Sequence, residues 1–171
     1  GKGKRMGADI NKIYLKLGDK PVIVYTLESF CQATEIDEIV IVLSSEEKGY
    51  FEREVLEKYS FSKPVLIVEG GEERQMSVYN GLMALPDDAD IVAIHDGARP
   101  FVTGDMVDRS VAAAREYGAV VMATPVKDTI KEVGENFYIS STLNRDRLWA
   151  VQTPQTFSYE LIIRAHEEAM R

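Results

Sequence analysis

The feature that most limits what this chain can become is the alternation of short apolar runs with longer amphipathic segments. Glu38–Leu43, Val65–Val68, Ile91–His95 and Ala119–Thr124 read as strands. Pro21–Gln32, Glu46–Lys58, Gln75–Leu85, Asp105–Tyr117 and Tyr159–Met170 carry apolar residues at helical spacing. That order predicts an α/β fold with a mostly parallel sheet covered by helices. Turn residues mark the joints at Gly18-Asp19, Ser44-Ser45, Gly70-Gly71, Pro86-Asp87-Asp88 and Gly118. Pro21 stands at a helix start, where its missing N–H is not needed. With 171 residues, no repeat and no linker-like stretch, one domain spanning 1–171 is expected, large enough to close a core without disulfides.

From about 126 to 151 the alternation breaks. Thr129–Val133, Phe137–Ser141 and Leu148–Val151 read as short strands around Gly134-Glu135-Asn136, a projecting β-arm or hairpin. A lone hairpin is marginal in water, so it needs a cover. An edge hairpin folded on its own domain satisfies this spacing as well as an arm covered by a partner subunit does.

The charge balance is acidic, −8 from 20 basic and 28 acidic residues, which excludes a general nucleic-acid backbone binder. The first twenty residues run the other way, with Lys2, Lys4, Arg5, Lys12, Lys16 and Lys20 against Asp9 and Asp19. No apolar run nears the ~20 residues of a membrane span. Cys31 is the single cysteine, which favours a cytoplasmic setting and a filler role for its thiol. One cysteine and two histidines are too few for a common zinc site, so any metal should be a hard cation.

Three loops carry chemistry. Gly1-Lys2-Gly3-Lys4-Arg5-Met6-Gly7 is a candidate phosphate cradle: glycines admit close backbone approach and the cations neutralise oxygens. It lacks Walker spacing, and a bare GxG also fits a simple turn. Such a loop should follow a strand, so the chain is expected to lack its first strand. Ile94-His95-Asp96-Gly97-Ala98-Arg99-Pro100 lies where an open sheet binds ligands, beyond a strand's carboxyl end. Asp96 suits a divalent cation or a hydroxyl and Arg99 a phosphate, although a capped turn with an Asp–Arg ion pair reads the same way. His95 reads as framework. Gly70-Gly71-Glu72-Glu73-Arg74-Gln75-Met76-Ser77 follows another strand and suits either a nucleobase edge or a helix cap. Asp128, Thr129, Lys131, Arg145 and Arg147 add polar groups along the arm.

Taken in order, GKGKRMG, EGGEERQMSV, IHDGARPFV, ATPVKDTIK and NRDRLWAVQTPQTF resemble the 2-C-methyl-D-erythritol 4-phosphate cytidylyltransferases along the whole chain. The resemblance implies a Rossmann-like nucleotidyltransferase fold, a homodimer clasped through β-arms, and no nucleic-acid or membrane partner. It implies that CTP and 2-C-methyl-D-erythritol 4-phosphate give the cytidine diphosphate derivative and pyrophosphate, with Mg2+ held mainly by the CTP phosphates rather than by protein ligands. By the same resemblance Arg5 and Lys12 are the catalytic cations, and Gly1, Lys2, Gly3 and Lys4 form the triphosphate loop. Gly71, Glu72 and Ser77 meet the cytosine and Gly97 the ribose. Asp96 and Arg99 hold the alcohol phosphate, and Thr129 and Arg145 reach the partner's site.

The chain departs from the family at Asn11-Lys12-Ile13, where Pro-Lys-Gln is common, so the lysine is kept on a backbone less restrained by its own residues. Against the family pattern it also starts after the first strand and ends before a C-terminal region. Two rival readings remain: a pentitol (ribitol) 5-phosphate cytidylyltransferase, and a non-catalytic nucleotide-binding module. Gly97-Ala98 between Asp96 and Arg99 favours the methylerythritol branch, and the retained Arg5, Lys12, Asp96 and Arg99 count against the module.

Overall fold

In the computed structural model, residues 11–170 are described. The expected phosphate cradle, with Gly1, Lys2, Gly3, Lys4 and Arg5, lies outside them. A 3-10 turn at Lys12–Tyr14 leads into a small antiparallel hairpin, β1 (Lys16–Leu17) and β2 (Lys20–Pro21). Then α1 (Val22–Gln32) begins directly after Pro21, as the proline predicts. Its residues Ile23, Val24, Thr26, Leu27 and Phe30 are buried, the stripe that a 3.6-residue period puts on one face.

The next units are β3 (Ile39–Leu43), α2 (Ser45–Phe51), β4 (Val65–Glu69), α3 (Arg74–Leu82), β5 (Ile91–Ile94) and α4 (Gly104–Tyr117). The helix expected over Glu46–Lys58 is divided: α2 gives way to a π-helical turn at Glu52–Leu56. The helix expected through Leu85 ends three residues sooner, its chain tightening through bonds from Ala84 to Gly81 and from Leu85 to Leu82.

The last units are β6 (Ala119–Pro125), β7 (Lys131–Val133), β8 (Ile139–Thr142), β9 (Trp149–Ser158) and α5 (Tyr159–Ala169). β3 and β4 pair in parallel, whereas β9 lies between β5 and β6 and runs antiparallel to both. The short strand expected at Leu148–Val151 is thus the first third of a ten-residue strand. Polar residues in Gln152–Thr156 mask its periodicity in the sequence. Yet Thr156 is fully buried, because its hydroxyl meets that of Ser110 on α4 at 2.9 Å. The arm forms as a β7–β8 hairpin with a register shift at Glu132/Val133.

The core joins Tyr14, α1, β3, Phe51, Val55, Val102 and Val107, with Cys31 half-buried against it. The turn after α1 is tied to α4 by Asp108, whose carboxylate accepts from Thr34 N, Thr34 Oγ1 and Glu35 N at 2.9–3.0 Å. Among the described residues no helix is long and apolar enough to cross a membrane.

Candidate active site

One carboxylate ties together the segments that follow β4 and β5. Asp96 takes Arg99 Nε on one oxygen at 3.0 Å and Arg74 NH2 on the other at 3.8 Å. Arg74 opens α3 after the Gly70-Gly71 loop, so the two expected motifs meet at Asp96. These groups are well exposed, and such pairs add about 0–1 kcal/mol to stability. Their consequence is orientation. Arg99 also donates NH1 to Gln152 Oε1, so two of its donor groups are held by its own chain.

The β5–β9 register explains why Gln152 and Thr153 arrive here. Ile94 sits opposite Gln155, so the antiparallel strand carries residues 152–153 past the His95–Asp96 turn. Thr153 Oγ1 accepts from Asp96 N at 3.3 Å and bonds His95 Nδ1 at 3.0 Å. His95 Nε2 lies 3.1 Å from the Arg99 carbonyl, which can only accept. The neutral ring therefore carries its proton on Nε2 and receives the Thr153 hydroxyl on Nδ1. His95 is the framework residue expected from the sequence, its ring 5.1 Å from that of Phe30.

Burial lowers the His95 pKa from its ordinary 6.5, outweighing its bond to Arg99 O and the charge of Asp96. Since the unfolded chain takes up that proton first, stability is complete above about pH 6.5 and falls as pH drops toward the lower, folded value. The melting temperature should fall on acidification from about pH 7 to pH 5.5. That slope should flatten in His95→Asn, which has no proton to gain, and an unchanged slope would remove His95 as its source.

Two glycines allow backbone to approach side chains closely. A Cβ on Gly97 would stand 2.7 Å from Ile23 Cδ1, and one on Gly71 would stand 2.4 Å from Met76 Cβ. The Gly97 carbonyl is held by the buried Thr26 hydroxyl at 3.0 Å. Ser77 donates its hydroxyl to the Gly71 carbonyl at 3.2 Å, closing the loop that carries the exposed Glu72. Lys12 is exposed on its 3-10 turn, and the adjacent Ile13 Cγ2 lies 3.9 Å from the Cβ position of Gly97. The Lys12 turn and the Asp96 loop are neighbours.

Thr129 and Arg145 are exposed on the arm, where Arg145 NH1 donates to Lys127 O at 3.3 Å. Among the described residues nothing bonds either of them to the Asp96 cluster of its own chain. Three members of that cluster were not singled out from the sequence: Arg74, Gln152 and Thr153. Arg74 had a local signal, a cation between Gly71 and Ser77. Gln152 and Thr153 stand inside the family-like NRDRLWAVQTPQTF run, but only strand register brings them to Asp96. No group of three His, Cys, Asp or Glu side chains forms a metal cage among the described residues.

The family model of 2-C-methyl-D-erythritol 4-phosphate cytidylyltransferase (IspD) matches residues 1–171. The relative of that name in Caldanaerobacter subterraneus is 48% identical over 170 residues, covering 99% of this chain and 75% of its own. Its namesake in Clostridioides difficile is 47% identical over 171 residues, covering all of this chain and 71% of its own. The crystal structure of 4-diphosphocytidyl-2C-methyl-D-erythritol synthase from Anaerococcus prevotii superimposes with a TM-score of 0.85 at 33% identity, covering 92% of this chain and 71% of its own. With its strand-end loops meeting at Asp96, its arm, and relatives matched along its whole length, this chain belongs to the 2-C-methyl-D-erythritol 4-phosphate cytidylyltransferase family.

Proposed function

We propose that the Asp96–Arg99 turn, the Gly71–Ser77 loop and the Lys12 turn form the site where this cytidylyltransferase joins CMP from CTP to 2-C-methyl-D-erythritol 4-phosphate. An oxygen of the alcohol phosphate attacks the α-phosphorus, and the bond to the β-phosphate oxygen breaks to release pyrophosphate. The observation that carries this reading is the double grip of Arg74 and Arg99 on Asp96, which joins two strand-end loops into one polar cluster.

Little covalent work falls to the protein, so its task is positioning and charge stabilisation. Gly71, Glu72 and Ser77 read the cytosine, and Gly97 lets its backbone meet the ribose. Asp96 accepts hydroxyls of the alcohol, while Arg99, held by Asp96 and Gln152, turns its free amino edge to the incoming phosphate. Lys12 and Arg5 stabilise charge that grows on the pentacoordinate phosphorus, and Gly1, Lys2, Gly3 and Lys4 hold the triphosphate.

Mg2+ fits this chemistry as an ion carried on the nucleotide. Both Asp96 oxygens already face guanidinium groups, and Mg2+ commonly binds through substrate phosphates and water. When bound there it neutralises charge on the phosphate oxygens.

The arm completes the site in a homodimer, with Thr129 and Arg145 acting on the partner's substrate. What supports this is apolar surface that one chain leaves in water: Phe137 is 92% exposed with Tyr138 and Ile139 also exposed on the hairpin, and Trp149 and Val151 are exposed at the start of β9. One free cysteine fits a cytoplasmic setting.

The test is pyrophosphate release from CTP and Mg2+ by the full-length protein, with methylerythritol phosphate and ribitol 5-phosphate offered separately. Release only with the former is expected. Release with ribitol phosphate would move the chain to the pentitol branch, and silence with both would make it a nucleotide-binding module.

A further inference from the structure

We infer that Asn11 and Glu47 are positioning residues for Lys12, a hydrogen-bonded link from α2 that sets the backbone from which the lysine reaches phosphate. The inference rests on the reading of Lys12 as a cation of the reaction. Asn11 brackets the lysine on both sides. Its Oδ1 accepts from Ile13 N at 3.4 Å, and its carbonyl accepts from Tyr14 N at 3.0 Å, closing the 3-10 turn. Its Nδ2 donates to Glu47 Oε1 at 2.7 Å across 36 residues of chain.

Glu47 is doubly engaged. Its second oxygen accepts from Ser44 Oγ at 2.8 Å and Ser44 N at 3.4 Å, the capping box of α2. A cap of this kind needs only that second oxygen, and the first is spent on Asn11. Burial would raise the Glu47 pKa, but the bonds from Asn11 and Ser44 prevail and hold it below the usual carboxylate range. The group is thus an acceptor on both oxygens at neutral pH.

The same helix grips the turn a second time. Tyr14 is buried, with its ring edge-on to Tyr50 of α2 at 4.7 Å between centroids. On the other side Ile13 abuts Gly97. The turn is clamped at Asn11, Ile13 and Tyr14, and Lys12 is the residue left exposed. Asn11 itself has φ −59°, the value a proline ring would fix covalently, with a ψ of 136° that proline readily adopts. Here the side-chain bonds supply that restraint, so a proline at 11 should replace what the asparagine and Glu47 do.

The experiment is a steady-state comparison in the full-length protein, reading kcat, KM for CTP and melting temperature. Asn11→Ala should lower kcat about tenfold with KM for CTP within about twofold, because misplacing a transition-state cation costs rate more than binding. Asn11→Pro should recover most of that loss. Glu47→Ala should lower kcat about tenfold in the natural background but less than about threefold in Asn11→Pro, since the link it supports is no longer needed. Its effect on melting should persist in Asn11→Pro, where the α2 cap is lost all the same, and be smaller there because the Asn11 bond is already absent.

A near-normal kcat in Asn11→Ala, no recovery in Asn11→Pro, or equal kcat losses for Glu47→Ala in the two backgrounds would each overturn the inference. Lys12→Ala, measured alongside, separates its failure from that of the underlying reading. Normal turnover there removes Lys12 itself. A large loss there with additive effects at 11 and 47 removes only the positioning link.

Discussion

Lys12→Ala is expected to lower kcat by about 10²–10³-fold, the loss typical of removing one preorganised donor from a developing negative charge. Stability should change by no more than about 0.5 kcal/mol, as for other exposed side chains. The separation follows from the turn's construction. Asn11, Ile13 and Tyr14 make its bonds and contacts, whereas the Lys12 side chain is exposed and has no ion-pair partner among the described residues. If the ammonium acts only in the transition state, kcat and kcat/KM should fall together. A rise in KM at constant kcat would make it a ground-state phosphate binder, and near-normal turnover would remove it from the mechanism. Paired kinetics and thermal melts of the one variant decide among these.

Co-expressed chains carrying Arg5→Ala in one and Arg145→Ala in the other should regain about one quarter of normal turnover, although each homodimer alone is inactive. The arithmetic is that of a two-fold dimer with arms acting across it. Half of a random mixture is heterodimer, and each heterodimer holds one site built from an intact loop and an intact arm. The second site carries both defects. An arm serving its own chain would yield no active site in any combination, so no recovery would place Arg145 in cis. The exposed position of Arg145, with no bond to its own Asp96 cluster among the described residues, motivates the trans arrangement.

Much of this protein was legible before its structure. Helix α1 follows its proline, α4 ends at Gly118, and β3 to β6 fall within a residue or so of their apolar runs. These are local events, governed by the period of apolar residues and by turn chemistry, and neighbours in sequence decide them. The hairpin at β7–β8 likewise forms where Gly134 and Asn136 predict a turn, its loop closed by bonds between Gly134 and residues 137–138. Strand β9 was only partly legible. Its second half is polar by composition, and burying Thr156 depends on a hydroxyl partner from a distant helix.

The candidate site divides along the same line. The amino-acid order alone determined which chemical groups stand at the strand ends: Asp96 and Arg99 after β5, glycines and Ser77 after β4, a lysine in a short polar turn. Relatives along the whole chain agree with the family those motifs resemble. Only the tertiary structure decided the partner of each group. Arg74 meets Asp96, Gln152 meets Arg99, Thr153 orients His95, and Glu47 holds Asn11 because sheet register and helix packing bring distant segments together. Charge and hydrogen-bonding capacity are properties of a residue type. Which charge or acceptor lies within reach is a property of the fold, because it depends on contacts that close only after distant parts of the chain have packed.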